Sequence, residues 1–182
     1  MNRIPATALA LLVAACGGSD TPEREEAQAD AAPAAQVVAC NVLTQEEVAE
    51  VVGAPVQRTE PREMPGPVGE GSEPTYASFC TYIAERGQAL MTTTLTVRRS
   101  PHVRDPAAGL QGYLEGVKSE MPGYTLEPVA EHGPGAGWHA ETTTLWVFRP
   151  GWMVSLAMDR ASSTPPLDGA KALMAKVLER LP

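Results

Sequence analysis

The sequence has few of the residues and motifs that carry chemistry. Aromatic residues make up 5% of its 182 residues, and it contains three histidines and three cysteines. It has no Cys-x-x-Cys pair, no Gly-x-Ser-x-Gly motif, and no Gly-Lys-Ser/Thr after its glycine-rich stretch 133–137. These absences argue against a zinc site, a serine hydrolase with a nucleophile elbow, and a phosphate-binding loop. We therefore predict a chain without catalytic residues, metal or cofactor.

The histidines offer one weak pair. His139 and Glu141 should share one face of a strand, while His102 and His132 stand apart from them in the sequence. A zinc site needs three or four converging ligands, so we interpret all three histidines as surface or core residues. A hydrolase built on His139 and Glu141 is the enzymatic alternative.

Positive charge is also scarce. The chain has 22 acidic and 14 basic residues, which give a net charge of −8, and the sequence shows no basic cluster. Nucleic acids and anionic lipid head groups attract proteins through clustered Lys and Arg side chains. The composition therefore argues against nucleic acid as a partner and against membrane binding by charge.

The apolar stretch at the N-terminus is shorter than the about 20 residues that a transmembrane helix needs. Residues 4–14 follow Arg3 and end in small residues, as in a secretory signal peptide. Leu12-Val13-Ala14-Ala15, directly before Cys16, resembles the lipobox of bacterial lipoproteins. The resemblance implies cleavage before Cys16, lipid on its thiol, and a domain outside the cytoplasm. Because Gly17 and not Asp follows, it also implies outer-membrane delivery in a cell with two membranes, or otherwise the outer face of the cytoplasmic membrane.

The chain is predicted to have three parts. Residues 1–15 are the signal peptide. Residues 16–37 contain the lipid-bearing Cys16 and an acidic linker, whose small residues and lack of apolar bulk predict flexibility. Residues 38–182 have the length of a single domain.

Two cysteines remain when Cys16 is assigned to lipid. Cys40 and Cys80 would mature in an oxidising compartment, so we predict a disulfide between them. Such a bridge closes about 40 residues and contributes about 4 kcal/mol in the loop-entropy model. A metal site or two free thiols are the alternatives.

Hydrophobic periodicity predicts helices separated by groups of strands. Thr44 and Glu47 form a capping box at the start of the first helix, and Asp105-Pro106 opens the second. The proline-rich residues 58–74 are predicted to be a surface loop. Strands are predicted at 76–83, 90–97, 124–129, 137–140, 142–148 and 152–158, and a last helix at 166–181. The order predicts an α+β fold, with an antiparallel sheet packed by about three helices, and suggests a weak twofold repeat of helix and hairpin.

Four aromatic residues are close together in the sequence: Trp138, Trp146, Phe148 and Trp152. Aromatic side chains have a large apolar area, to which Trp adds an N–H donor, and exposed groups of them mark binding surfaces. The four are therefore candidates for a surface that binds a small apolar molecule or a partner protein. Core packing is the alternative.

Several short motifs in residues 38–182 occur together. They are Cys40-Asn-Val-Leu-Thr at a helix start, Phe79-Cys80-Thr-Tyr82 in a strand, a glycine-rich turn into Gly137-Trp138, the hairpin 144–158, and a closing helix. In this combination the chain resembles small bacterial envelope lipoproteins of unknown function. That family usually has an acid in the turn, where this chain has Gly-Pro-Gly-Ala-Gly-Trp-His.

The resemblance implies an envelope protein held at a membrane by its lipid. We expect a non-catalytic module that binds an envelope protein partner or has a structural role. A carrier or sensor of a small apolar ligand, using the four aromatic residues, is the alternative.

Overall fold

The computed structural model describes residues 36–65 and 76–182, so the predicted signal peptide, Cys16 and nearly all of the predicted linker lie outside the described residues. Within these ranges the chain forms three α-helices and seven strands. In chain order they are α1 (Gln45–Val52), β1 (Val56–Pro65), β2 (Tyr76–Arg86), β3 (Ala89–Ser100), α2 (Pro106–Glu120), β4 (Glu127–Pro128), β5 (Ala136–His139), β6 (Thr144–Arg149), β7 (Gly151–Met158) and α3 (Pro166–Arg180). No helix in the described part has the length and apolar character needed to cross a bilayer.

The strands form one antiparallel sheet in the order β1-β2-β3-β7-β6-β5-β4. Strands that follow one another along the chain are neighbours in the sheet, with one exception. The strand after β3 in the chain is β4, but β3 pairs with β7. The predicted α+β class with an antiparallel sheet is confirmed.

The sheet has a core face and an outer face. Alternation in β2 and β3 places Cys80, Tyr82 and Leu95 on the core face, where all three are buried. Helix α3 packs across β6 and β7 on this face, and α1 packs against α3. Helix α2 lies on the outer face, where it packs against β5 and β6. The outer face of β3 carries three threonines, of which Thr92 is exposed and Thr94 and Thr96 are half-buried.

The predicted twofold repeat is not shown by this arrangement. A twofold axis relating the antiparallel strands β3 and β7 would run perpendicular to the sheet and would place equivalent helices on the same face. Helices α1 and α2 instead lie on opposite faces of the sheet.

The prediction of a loop from residue 58 was wrong for its first part. Residues 56–65 form β1, which pairs with β2 from Val56 to Pro65. Pro61 lacks an N–H and cannot donate to a neighbouring strand, which excludes it from most sheet interiors. It is tolerated here because, among the described strands, β1 lies at the edge of the sheet and pairs with β2 alone. The rest of the predicted loop, residues 66–75, lies outside the described residues.

The predicted disulfide is confirmed, since Cys40 and Cys80 are bonded with their Cα atoms 5.0 Å apart. Two hydrogen bonds accompany it on the core face of β2. The Ala39 N–H donates to Ser78 Oγ over 2.9 Å, and the Tyr82 hydroxyl donates to the Leu43 carbonyl over 2.8 Å. Alternate residues of β2 thus hold the segment that leads into α1.

The predicted capping box at the start of α1 is also confirmed. The Glu47 N–H donates to Thr44 Oγ1, and the Thr44 N–H donates to the Glu47 carboxylate, over 3.2 Å and 3.0 Å. The same carboxylate accepts from both Nη atoms of Arg180, over 2.8 Å and 2.7 Å, and lies 3.2 Å from Lys176 Nζ. Glu47 therefore joins the first turn of α1 to the end of α3.

This contact predicts a pH-dependent contribution to stability. The hydrogen bonds from Arg180, above all, lower the pKa of Glu47 from 4.5 to about 2. A carboxyl with a depressed folded-state pKa stabilises fully above its unfolded pKa, and this contribution is lost as the pH falls from 4.5 towards 2. Glu47→Gln keeps an acceptor for the capping box but removes the charge. Because Arg180 and Lys176 are partly exposed, we expect it to cost only about 1–2 kcal/mol at pH 7.

Urea unfolding at pH 7 and pH 3 measures this effect, with Glu46→Gln in the same helical turn as the control. The difference between wild type and Glu47→Gln should shrink at pH 3, while Glu46→Gln stays close to wild type at both values. An equal difference at both pH values would show that charge is not the cause.

Candidate functional site: a groove beside helix α2

The structure separates the four aromatic residues that the sequence brings together. Trp138 and Trp152 lie on the core face and are each 5% exposed. Trp146 and Phe148 lie on the outer face, because they alternate along β6 with core-face residues. The four therefore do not form one surface. The guanidinium of Arg99 lies 5.2 Å from the ring centre of Trp152.

Helix α2 covers the outer-face pair. Tyr113 projects from α2 onto β6, with its ring centre 4.5 Å from that of Trp146 and 5.8 Å from that of Phe148. Tyr124 meets Tyr113 edge-on and stacks on His139, whose ring centre is 4.1 Å away. Burial raises the pKa of the Tyr113 phenol well above its ordinary value. This aromatic cluster fixes α2 over β5 and β6.

A groove with a volume of about 580 Å³ lies between α2 and the outer face of β3 and β7. We call it the α2 groove. Its apolar surface comes from Phe148 and Val103, which are buried, together with Met153 and Tyr113, which are half-buried. The remaining residues of its lining are Arg98, Ser100, His102, Arg104, Asp105, Ala108, Gly109 and Gly112.

Two glycines of α2 line this groove and have different surroundings. A Cβ atom at Gly109 would lie 3.0 Å from side-chain atoms of both Phe148 and Val103, so the helix approaches its floor closely there. A Cβ atom at Gly112 would meet nothing within 4 Å, although Gly112 lines the groove. The space in front of Gly112 is therefore open for a ligand.

Three basic side chains line the α2 groove: Arg98, His102 and Arg104. Asp105 is the acid in the lining, and its Oδ1 caps α2 by accepting from the Ala107 and Ala108 N–H groups over 2.8 Å and 3.2 Å. The sequence prediction of no basic cluster overlooked this group, in which Arg98 lies near the end of β3 and Arg104 lies just before α2. The turn between them brings both to one groove, and its backbone is held by the Val103 N–H donating to the Ser100 carbonyl over 2.9 Å.

The prediction that His139 and Glu141, the pair of the enzymatic alternative, share one face of a strand was wrong, because β5 ends at His139 and Glu141 lies in a turn. His139 is buried at the end of β5, and its Nδ1 accepts from the Thr142 N–H over 3.2 Å and lies 2.8 Å from Thr142 Oγ1. Glu141 is exposed in the following turn. His132 is half-buried, and burial lowers its pKa. In residues 36–65 and 76–182, no three His, Cys, Asp or Glu side chains are grouped to hold a metal ion.

The glycine-rich stretch 133–137 packs against α2. A Cβ atom at Gly135 would lie 2.5 Å from Pro106 Cβ and 2.7 Å from the Phe148 carbonyl oxygen. The stretch leads into strand β5, as predicted, and not into a helix. Its glycines therefore allow close contact between the start of α2 and the end of β6.

No family model, no curated protein and no solved structure matches this chain.

Proposed function

We propose that this chain is a lipid-anchored module of the bacterial envelope that binds a ligand and has no catalytic role. The lipobox-like residues before Cys16 support the anchor. The Cys40–Cys80 disulfide supports an oxidising compartment, since disulfides persist outside the cytoplasm.

The anchor is tested by labelling cells that express the full chain with an alkyne analogue of palmitate. We expect label on the wild-type protein and none on Cys16→Ser, which should also accumulate with residues 1–15 still attached. Equal labelling of the two proteins would overturn the lipid anchor at Cys16.

The α2 groove is the single observation that carries the binding role. Its volume of about 580 Å³ lies in the range of small-molecule sites, roughly 300–1,000 Å³. It has the composition of such sites, with an apolar floor and a few polar groups at the rim. This supports a carrier or sensor of a small molecule with an apolar part. An envelope protein as partner stays a prediction from the sequence.

Filling the groove should block binding. Gly112→Leu places a side chain into the groove without a clash at Cβ, whereas Gly116→Leu, one turn later on α2, points its Cβ into open space and does not line the groove. Both changes replace a helical glycine, so each should raise helix stability by up to about 1 kcal/mol. We expect Gly112→Leu to weaken binding of the fluorescent probe 1-anilinonaphthalene-8-sulfonate about tenfold or more, which corresponds to about 1.4 kcal/mol.

Fluorescence titration of the folded variants measures this, and near-ultraviolet circular dichroism checks that the tertiary structure is retained. Gly116→Leu should bind the probe like wild type. Equal affinity of Gly112→Leu and wild type would refute the α2 groove as the binding site.

A further inference from the structure

We propose that the α2 groove selects an amphiphilic anion, with a single negative head group at Arg98 and Arg104 and an apolar body against Phe148 and Met153. This inference rests on the proposed binding role. It goes further because it names the chemical class of the ligand.

The first support is a concentration of positive charge where the composition predicts none. The chain carries a net charge of −8, yet Arg98 and Arg104 both line one groove. Asp105 is the acid beside them, and its Oδ1 is already occupied by two backbone N–H groups at the start of α2. The cationic side chains therefore outnumber the acid at this site.

The second support is that seven other basic residues are engaged within the chain. Arg58, Lys171, Lys176 and Arg180 form the ion pairs found among the described residues. Arg86, Arg149 and Arg160 donate to backbone carbonyls. Among residues 36–65 and 76–182, neither Arg98 nor Arg104 forms an ion pair, and this supports an anion as their partner. A guanidinium can bind a carboxylate or sulfonate through two parallel hydrogen bonds.

The third support is the apolar floor directly beside these cations. Phe148 is 4% exposed and Val103 is 7% exposed, while Met153 and Tyr113 present half-buried side chains. A small inorganic anion would leave the exposed apolar surface of Met153 and Tyr113 in water. A molecule with an apolar body would cover it, and burial of apolar surface would add to the affinity.

A matched pair of probes separates the two parts of the site. The probe 1-anilinonaphthalene-8-sulfonate and N-phenyl-1-naphthylamine share one aromatic body, and only the first carries a negative charge. We expect the anion to bind wild type about tenfold more tightly than the neutral probe, because hydrogen bonds to charged groups are the stronger ones. This preference should fall as the salt concentration rises.

Variants locate the charge effect. In the double variant Arg98→Gln and Arg104→Gln, binding of the anionic probe should weaken about tenfold, while that of the neutral probe should change less than twofold. Arg62→Gln, an exposed arginine on edge strand β1, is the control and should leave both affinities unchanged. Equal affinity of wild type for the two probes, or an unchanged double variant, would overturn the anion preference.

Competition identifies the source of the anion. Laurate below its micellar concentration should displace the anionic probe, as expected for a monomeric ligand in a groove. Displacement only by phosphatidylglycerol vesicles would overturn the monomeric ligand. The two proposals fail on different results. If Gly112→Leu leaves the affinity for both probes unchanged, the proposed binding role is refuted. If wild type binds both probes equally and Gly112→Leu blocks their binding, only the anion preference is refuted.

Discussion

A variant with alanine in place of both Cys40 and Cys80 should have a free energy of unfolding about 4 kcal/mol lower than that of the native chain. The bridge spans a sequence separation of 40 residues. Its loss raises the conformational entropy of the unfolded chain, which the closed loop had restricted. The bridge also holds the segment before α1 against β2, where Ala39 and Leu43 make buried hydrogen bonds. The loss should therefore loosen the attachment of α1 as well.

Urea unfolding of the purified domain measures the difference. Reduction of the wild-type protein should reproduce the stability of the double variant, since both remove the same bond. A double variant within about 1 kcal/mol of wild type would show that the loop gains little freedom on unfolding.

The second large effect is expected at Gly135. Alanine there would bring its Cβ to 2.5 Å from Pro106 Cβ, 2.7 Å from the Phe148 carbonyl oxygen and 2.9 Å from the Pro106 carbonyl oxygen. Two of these three neighbours are backbone atoms, which cannot rotate away as a flexible side chain can. The start of α2 or the end of β6 must move instead. We expect Gly135→Ala to cost about 3 kcal/mol, at the upper end of usual overpacking effects.

Thermal and urea unfolding test this against Gly123→Ala, since a Cβ atom at Gly123 meets nothing within 4 Å. Because Phe148 and Asp105 line the α2 groove, movement at Pro106 should also weaken probe binding in the folded protein. If Gly135→Ala is as stable as Gly123→Ala, the contact between α2 and β6 tolerates more volume than this packing implies.

The sequence alone predicted most elements, since their signals are local. The capping box needs only Thr44 and Glu47 three residues apart, and the structure shows both of its hydrogen bonds. The alternation in β2 and β3 and the even number of remaining cysteines likewise gave two strands and the disulfide. The main failure was β1, because prolines normally indicate a loop. Its edge position, which makes Pro61 harmless, depends on the order of all the strands.

The candidate site followed from the sequence only in part. Phe148 was among the four aromatic residues, but strand alternation sends two of the tryptophans to the opposite face of the sheet. Arg98 and Arg104 were missed, since no spacing rule links a strand residue to a residue before a helix. A pair of arginines followed by a third within seven positions, in an acidic chain, was the one available signal.

The sequence by itself determined most of the elements, the cysteine pair and the antiparallel α+β class, because these depend on neighbouring residues or on counting. The alternation of residues in β2 defined the two faces of this strand, but it did not determine which face would be buried. The face with Phe79 and Ile83 is only half-buried, while Ser78, Cys80 and Tyr82 are buried by the segment bonded to them. Only the tertiary structure placed α2 over β5 and β6 and, within the described part of the chain, left the rest of the outer face without a covering helix. Helix placement depends on contacts between distant residues, and the groove with its arginines exists only where that helix stops covering the sheet.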